Sequence, residues 1–111
     1  DTTDVSEFLK VLKKKHLIDD VVVASMNGSS IISSNGHAVS TAVSGAALYS
    51  YVQSEHPKSE TILIKSNGHW NMIFPMNKKL YLVKASSDVS VVELKALATE
   101  IDSFLAQNAV N

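Results

Sequence analysis

The chain has 111 residues, 45% hydrophobic and 19% charged, a composition typical of an ordinary globular protein and sufficient for one domain over 1–111. Its net charge of −1 gives no electrostatic drive towards nucleic acid. All ten basic residues are lysines, which excludes an arginine finger, and the lack of cysteine excludes disulfides, thiolate chemistry and cysteine-based zinc sites.

The first predicted element is an amphipathic helix. Asp4 and Glu7 form a capping pair at its start, and three lysines, 13–15, lie in its last turns, where they suit the helix dipole. We interpret these lysines as a solvated helix end, since three fall short of the polybasic cluster expected of a membrane- or nucleic-acid-binding patch. The apolar stripe at helical spacing consists of Val5, Phe8, Leu9 and Leu12.

A hairpin is predicted next. The β-branched run 21–26 is typical of a strand buried on both faces, Asn27-Gly28 predicts a tight turn, and 29–33 returns as a second strand closed by Asn35-Gly36. Asn27-Gly28-Ser29 also matches the N-glycosylation pattern, but without a secretory signal we favour the turn. The lack of a signal peptide or membrane span also favours a cytoplasmic location.

Residues 38–54 predict one helix of small residues and serines, and the longer stretch 21–54 carries no formal charge. On a helical wheel, its apolar arc, which includes Ala42 and is extended by Val39 and Val43, is wider than the stripe of about 100° that one core contact requires. Two interpretations remain open: a helix enclosed in its own core, or one shared between its own sheet and a second subunit. We favour the shared helix. On it, the predicted dimer interface is Ala38, Ala42, Gly45, Ala46 and Tyr49.

Three strand-like runs joined by short turns then predict an antiparallel meander. The first run, 61–65, leads into the turn Asn67-Gly68, and the second, 69–76, alternates between two faces. Because Pro75 cannot donate a ladder hydrogen bond, it predicts a bulge or a sheet edge. The third run covers 80–85.

The last element is a strongly amphipathic helix. Ser90 and Glu93 form a capping box in front of an apolar stripe. The element order is therefore helix, two strands, helix, three strands, helix, which favours an α+β sheet covered by helices on both faces. The residues of the stripe are Leu94, Leu97, Ala98, Ile101, Phe104 and Leu105.

This order and several local runs resemble the roadblock (dynein light-chain-associated) family, including prokaryotic members that work with small Ras-like GTPases. The matching runs are the valine-rich hairpin with Asn27-Gly28 and Ile31-Ile32, the Ala/Ser-rich helix, 60–64, and 80–83 before the capped last helix. The resemblance implies a profilin-like α/β/α sandwich. Its five-stranded antiparallel sheet would have the order 2-1-5-4-3, with the central helix on one face and the terminal helices on the other.

The resemblance also implies partners. Family members form homo- or heterodimers that extend the sheet across the strand after the central helix, which adds Ile62 and Ile64 to the predicted interface. It implies a non-catalytic dimeric scaffold or regulator of a small Ras-like GTPase or of a larger assembly. The charges that members often carry along the central helix are missing here. We place the partner surface on its uncharged arc: Ser40, Ser44, Ala47 and Tyr51.

Motifs for catalysis, phosphate binding and metal binding are absent from the sequence: it has no GxxxxGK[ST], GxSxG or HExxH. We expect no enzymatic activity, cofactor or metal. The aromatic residues are expected in the core, and two other functions stay open: a small-molecule sensory module with a cavity beneath Trp70 and Phe74, or a purely structural dimerisation subunit. Four histidines follow no metal-ligand spacing: His16, His37, His56 and His69.

Overall fold

The computed structural model describes residues 7–11, 14, 18–34 and 38–107. Residues 7–11 and 14 are helical and are called α1. The elements after α1 are β1 (Ile18–Ser25), β2 (Ser30–Ser33), α2 (Ala38–Glu55), β3 (Ile62–Ser66), β4 (His69–Met76), β5 (Lys79–Ser86) and α3 (Val91–Gln107). Several residues singled out above lie outside the described ranges: Asp4, Val5, Leu12, Lys13, Lys15, His16, Asn35, Gly36 and His37.

The predicted strands are present, and the largest difference from the predicted boundaries is at the start of β1. β1 begins at Ile18 rather than at residue 21, because the two acidic residues that break the apolar pattern continue the strand, and Asp20 pairs with Lys84 of β5. All strand pairs are antiparallel and follow the order β2-β1-β5-β4-β3. The predicted sheet order is confirmed.

One face of the sheet carries α1 and α3. The predicted α3 stripe is fully buried except for Phe104, which is half-buried and stacks on Phe8 of α1 with ring centroids 4.1 Å apart. Each buried leucine or isoleucine contributes about 1.5–3 kcal/mol to folding. This layer holds most of the largest fully buried side chains of the described residues. The buried side chains that α1 and α3 contribute to it are Leu9, Leu94, Leu97, Ala98, Ile101 and Leu105.

The other face carries α2 and a smaller cluster. Small side chains of the helix, Ala42 and Ala46, pack against the sheet, with Leu48, Tyr49 and Ile62 at the margin of the cluster. The strand residues of this cluster are Val22, Ala24, Ile73, Leu80 and Leu82. The alternation along β4 is as predicted, since Met72 and Phe74 belong to the first cluster and Ile73 to the second.

The turns and caps follow the local chemistry of the sequence. Asn67 and Gly68 have φ angles of 50° and 77°, which a two-residue hairpin turn with positive φ at both positions requires. The backbone N–H of Glu93 donates to Ser90 Oγ at 3.1 Å, which confirms the N-cap of α3. At Pro75 the pairing with β5 continues without a bulge, whereas β3 pairs only as far as Ile73, so the sheet-edge prediction holds.

A polar network ties the β4–β5 turn to α3. Tyr81 is fully buried, and its hydroxyl donates to Asp102 Oδ1 at 2.9 Å. The Asn77 side-chain amide donates to Asp102 Oδ2 at 3.3 Å, and Lys79 Nζ lies 3.8 Å from Asp102 Oδ1. Burial, the hydrogen bond to Asp102 and its negative charge together raise the pKa of Tyr81 well above its ordinary value.

Candidate interaction surface

α2 approaches the sheet closely because its inner side has almost no side chains. Ala42 is fully buried, Ala46 is 7% exposed, and Gly45 is buried between them. A Cβ atom placed on Gly45 would lie 2.5 Å from Leu82 Cδ2, closer than van der Waals contact permits. The absence of a side chain at this position therefore sets the distance between helix and sheet.

The outer side of α2 is exposed and is not enclosed by the described part of the chain. Val39 is 74% exposed, Val43 57% and Tyr51 63%, although the two valines belong to the predicted apolar arc. No charged residue lies on the helix before Glu55. An exposed surface normally mixes both signs of charge, so this helix face is unusual for a surface in contact with water alone.

The predicted interface residues occupy different environments. Ala42, Gly45 and Ala46 contact the chain's own sheet, so a second chain would approach α2 from its other sides. Tyr49 is half-buried, and Ala38 is the first residue of α2. Beyond the helix, Ile62 is half-buried and Ile64 is 42% exposed. The predicted partner residues Ser40, Ser44, Ala47 and Tyr51 are all exposed.

A groove between α2 and β3–β5, which sequence reasoning missed, has an open volume of about 460 Å³. From the helix it is lined by Thr41, Ser44 and Leu48, and from the sheet by Ile64 and Ile73. Asp20, Asn71 and Lys84 form a polar end. The groove lies on the α2 face, whereas Phe74 and the half-buried Trp70 pack into the core on the opposite face.

β3 is an edge strand with exposed apolar side chains on both of its faces. Leu63, which is 38% exposed, pairs with Met72 of the first cluster, whereas Ile64, 42% exposed, lines the groove beside α2. In the described ranges the outer edge of β3 has no neighbouring strand. Such an edge presents free N–H and C=O groups beside apolar surface, which favours pairing with another strand.

The histidines and acidic side chains of the described residues do not converge on one site. No group of three or more His, Asp or Glu side chains within them could hold a metal ion. His56 is exposed, and His69 Nδ1 lies 2.7 Å from Asp19 Oδ2 at the surface. Within the same ranges, every helix falls short of the length and apolarity that crossing a bilayer requires.

Comparison with solved structures agrees with this architecture. The Roadblock/LC7 domain from Streptomyces avermitilis superposes with a TM-score of 0.73 at 11% identity, over 92% of this chain and 94% of that one. MglB of Myxococcus xanthus gives a TM-score of 0.74 at 13% identity, over 95% and 94%. The chain has the roadblock fold.

The chain is similar to roadblock structures in fold, but no sequence similarity accompanies it. No family sequence model matches the chain, and no curated protein sequence matches it. Acanthamoeba castellanii profilin IA superposes with a TM-score of 0.59 at 7% identity, over 93% of this chain and 98% of profilin. The predicted profilin-like sandwich is thereby confirmed. At these identities the similarity is one of fold alone.

Proposed function

We propose that this chain is a non-catalytic, cytoplasmic subunit of the roadblock type. It pairs with a second copy through β3 and the adjacent flank of α2, and it holds a small Ras-like GTPase or a larger assembly on the exposed arc of α2. The observation that carries the proposal is the exposed face of α2, which has no charged residue before Glu55. A second chain would cover this face.

Two features support pairing through β3. The strand leaves its outer edge open, with Leu63 exposed on one sheet face and Ile64 on the other. A strand added from a second copy would satisfy the free backbone groups and cover both side chains. The groove between Ile64 and Leu48 borders the same edge, which gives the second copy an apolar surface to fill.

The partner surface is proposed on the exposed arc of α2. Ser40 and Ser44 line the groove and therefore adjoin the proposed dimer interface, whereas Ala47 and Tyr51 are not among the residues that line it. Because the chain has no arginine, any stimulation of GTP hydrolysis would act by ordering the residues of the GTPase itself. The serines supply hydrogen bonds without charge, so binding is expected to depend only weakly on salt.

Replacing Ile64 with lysine should dissociate the dimer. In the paired sheet the new ammonium would be buried against the second copy, and an unpaired buried charge costs several kcal/mol. In sedimentation at micromolar concentration, wild-type protein should have twice the 12.0 kDa mass of the chain, and the variant should be monomeric. Thr99→Lys, at an exposed position of α3, is the matched control and should remain dimeric. A wild-type monomer would contradict the proposal.

Replacing Ala47 with glutamate should abolish partner binding and leave the dimer intact. The substitution adds a carboxylate to the centre of the exposed arc, away from the groove. The measurement is a pull-down in which the candidate GTPases are loaded with GDP or with a GTP analogue. Ala96→Glu, on the exposed side of α3, is the control and should bind normally. A wild-type dimer that captures no GTPase would favour the purely structural dimerisation subunit.

A further inference from the structure

One row of residues crosses four strands of the sheet and lines the groove beside α2. Asp20 of β1 pairs with Lys84 of β5. Lys84 pairs in turn with Asn71 of β4, and Asn71 pairs with Ile64 of β3. Directly opposed residues share a face of the sheet, and all four line the groove. The row therefore presents an anion, a cation, an amide and an apolar side chain in that order, on strands about 4.8 Å apart.

The two charges of this row do not neutralise each other. Asp20 Oδ1 accepts a hydrogen bond from the Ser34 hydroxyl at 2.6 Å, and no ion pair joins Asp20 to Lys84 although the two residues are directly opposed. Within the described part of the chain, the Lys84 ammonium and the Asn71 side-chain amide have no ion-pair or hydrogen-bond partner. These groups can therefore donate hydrogen bonds to a ligand in the groove.

An apolar part of the groove adjoins these polar groups. Leu48 contributes to it from α2 and Ile64 from β3, and Ile64 is 42% exposed. The open volume of about 460 Å³ is within the range of small-molecule sites, roughly 300–1,000 Å³. Such sites are mostly apolar and have a few converging polar groups that orient the ligand. The groove therefore has the size and the composition of a small-molecule site.

We propose that this groove binds a free α-amino acid with an apolar side chain. Lys84 and Asn71 donate hydrogen bonds to its carboxylate, Asp20 accepts one from its ammonium group, and its side chain lies between Leu48 and Ile64. Charge complementarity selects this ligand, because Asp20 and Lys84 are neighbours in the row and an amino acid carries both opposite charges on one carbon atom. This inference goes beyond the proposed function, which gives the chain no small-molecule ligand.

Isothermal titration calorimetry of the full chain tests this ligand class without any substitution. The probes are L-leucine, L-valine and L-phenylalanine, each compared with its N-acetyl derivative, which has no ammonium group, and its amide, which has no carboxylate. At least one of the free amino acids should bind, and both of its derivatives should bind about tenfold or more weakly, because each loses one charge-assisted contact. Equal affinity for the free amino acid and its two derivatives would overturn the proposal.

Two substitutions locate the ligand in the groove. Lys84→Met and Asp20→Asn each remove one charge and should weaken binding about tenfold or more. Lys95→Met, at an exposed position of α3, is the matched control and should bind as wild type does, and thermal melting checks that each variant is folded. Unchanged binding by a folded Lys84→Met variant would overturn the proposal.

Sedimentation of the wild-type protein separates this inference from the proposed function. A dimer that binds none of the three amino acids would overturn the ligand and leave the proposed function standing. A monomer that binds one of them through Lys84 would support the ligand and contradict the proposed dimer.

Discussion

Replacing Gly45 with leucine is expected to lower the free energy of unfolding by about 2–3 kcal/mol. A Cβ atom at this position already lies 2.5 Å from Leu82 Cδ2, and Leu82 belongs to the packed cluster between α2 and the sheet. The additional methyl groups of leucine would separate helix from sheet. For a domain of about 100 residues, this corresponds to a melting temperature lower by roughly 10–20 °C in a thermal denaturation experiment.

Introducing leucine on the outer side of α2 is the control for this effect. Ala47→Leu adds a leucine to an exposed position of the same helix and should change stability by less than about 0.5 kcal/mol. Gly45→Ala is an intermediate case, since only the end of the Leu82 side chain must move while the helix gains the higher propensity of alanine. Equal stability of the two leucine variants would show that Gly45 does not set the distance between helix and sheet.

Replacing Asp102 with alanine should cost about 3 kcal/mol. The Tyr81 hydroxyl would lose its hydrogen-bond acceptor in a fully buried position. Lys79, whose side chain is 11% exposed, would lose the carboxylate that lies 3.8 Å from its Nζ. Chemical denaturation measures the difference. Asp88→Ala, at an exposed loop position, is the matched control and should change the free energy of unfolding by less than about 0.5 kcal/mol.

The hydrogen bond between Tyr81 and Asp102 should also make the stability of the fold depend on pH in alkaline solution. An unfolded tyrosine ionises near pH 10, whereas the raised pKa of Tyr81 keeps its proton on the native state. The native state then binds more protons, so stability is fully present below pH 10 and falls above it, by up to about 1.4 kcal/mol per pH unit. Tyr81→Phe removes this contribution, so the difference in the free energy of unfolding between variant and wild type should change from pH 9 to 11.5. If that difference did not depend on pH, the raised pKa of Tyr81 would be contradicted.

Most of the fold could be predicted because strong local signals agree with one another. The alternation along β4, the Asn67-Gly68 turn and the N-cap at Ser90 each depend on a few neighbouring residues, and each is present in the structure. The start of β1 was missed because two aspartates interrupt the apolar pattern. Asp20 nevertheless pairs with Lys84, and Asp19 lies at an irregularity in the register between Ile18 and Asp20. Strand pairing tolerates a polar residue wherever its side chain can reach water.

The inner side of α2 could not be predicted. Ala42 is fully buried and Val43 is 57% exposed, yet both belong to the apolar arc of the predicted helix. A helix without charged residues offers no polar contrast, so its orientation is decided by the sheet and by the space at Gly45. The Tyr81–Asp102 contact was missed for a different reason: it joins residues from a strand and a helix that no spacing rule connects.

The open edge of β3 also affects how newly made chains reach their final state. A folded single copy exposes Leu63 and Ile64 beside unpaired backbone groups, which is the kind of surface on which strands of many molecules can stack. In the proposed dimer, pairing between two copies would compete with such stacking while the chains are still single. Recovery from denaturant should then depend on how quickly copies find one another, because pairing covers the edge on which stacking could begin.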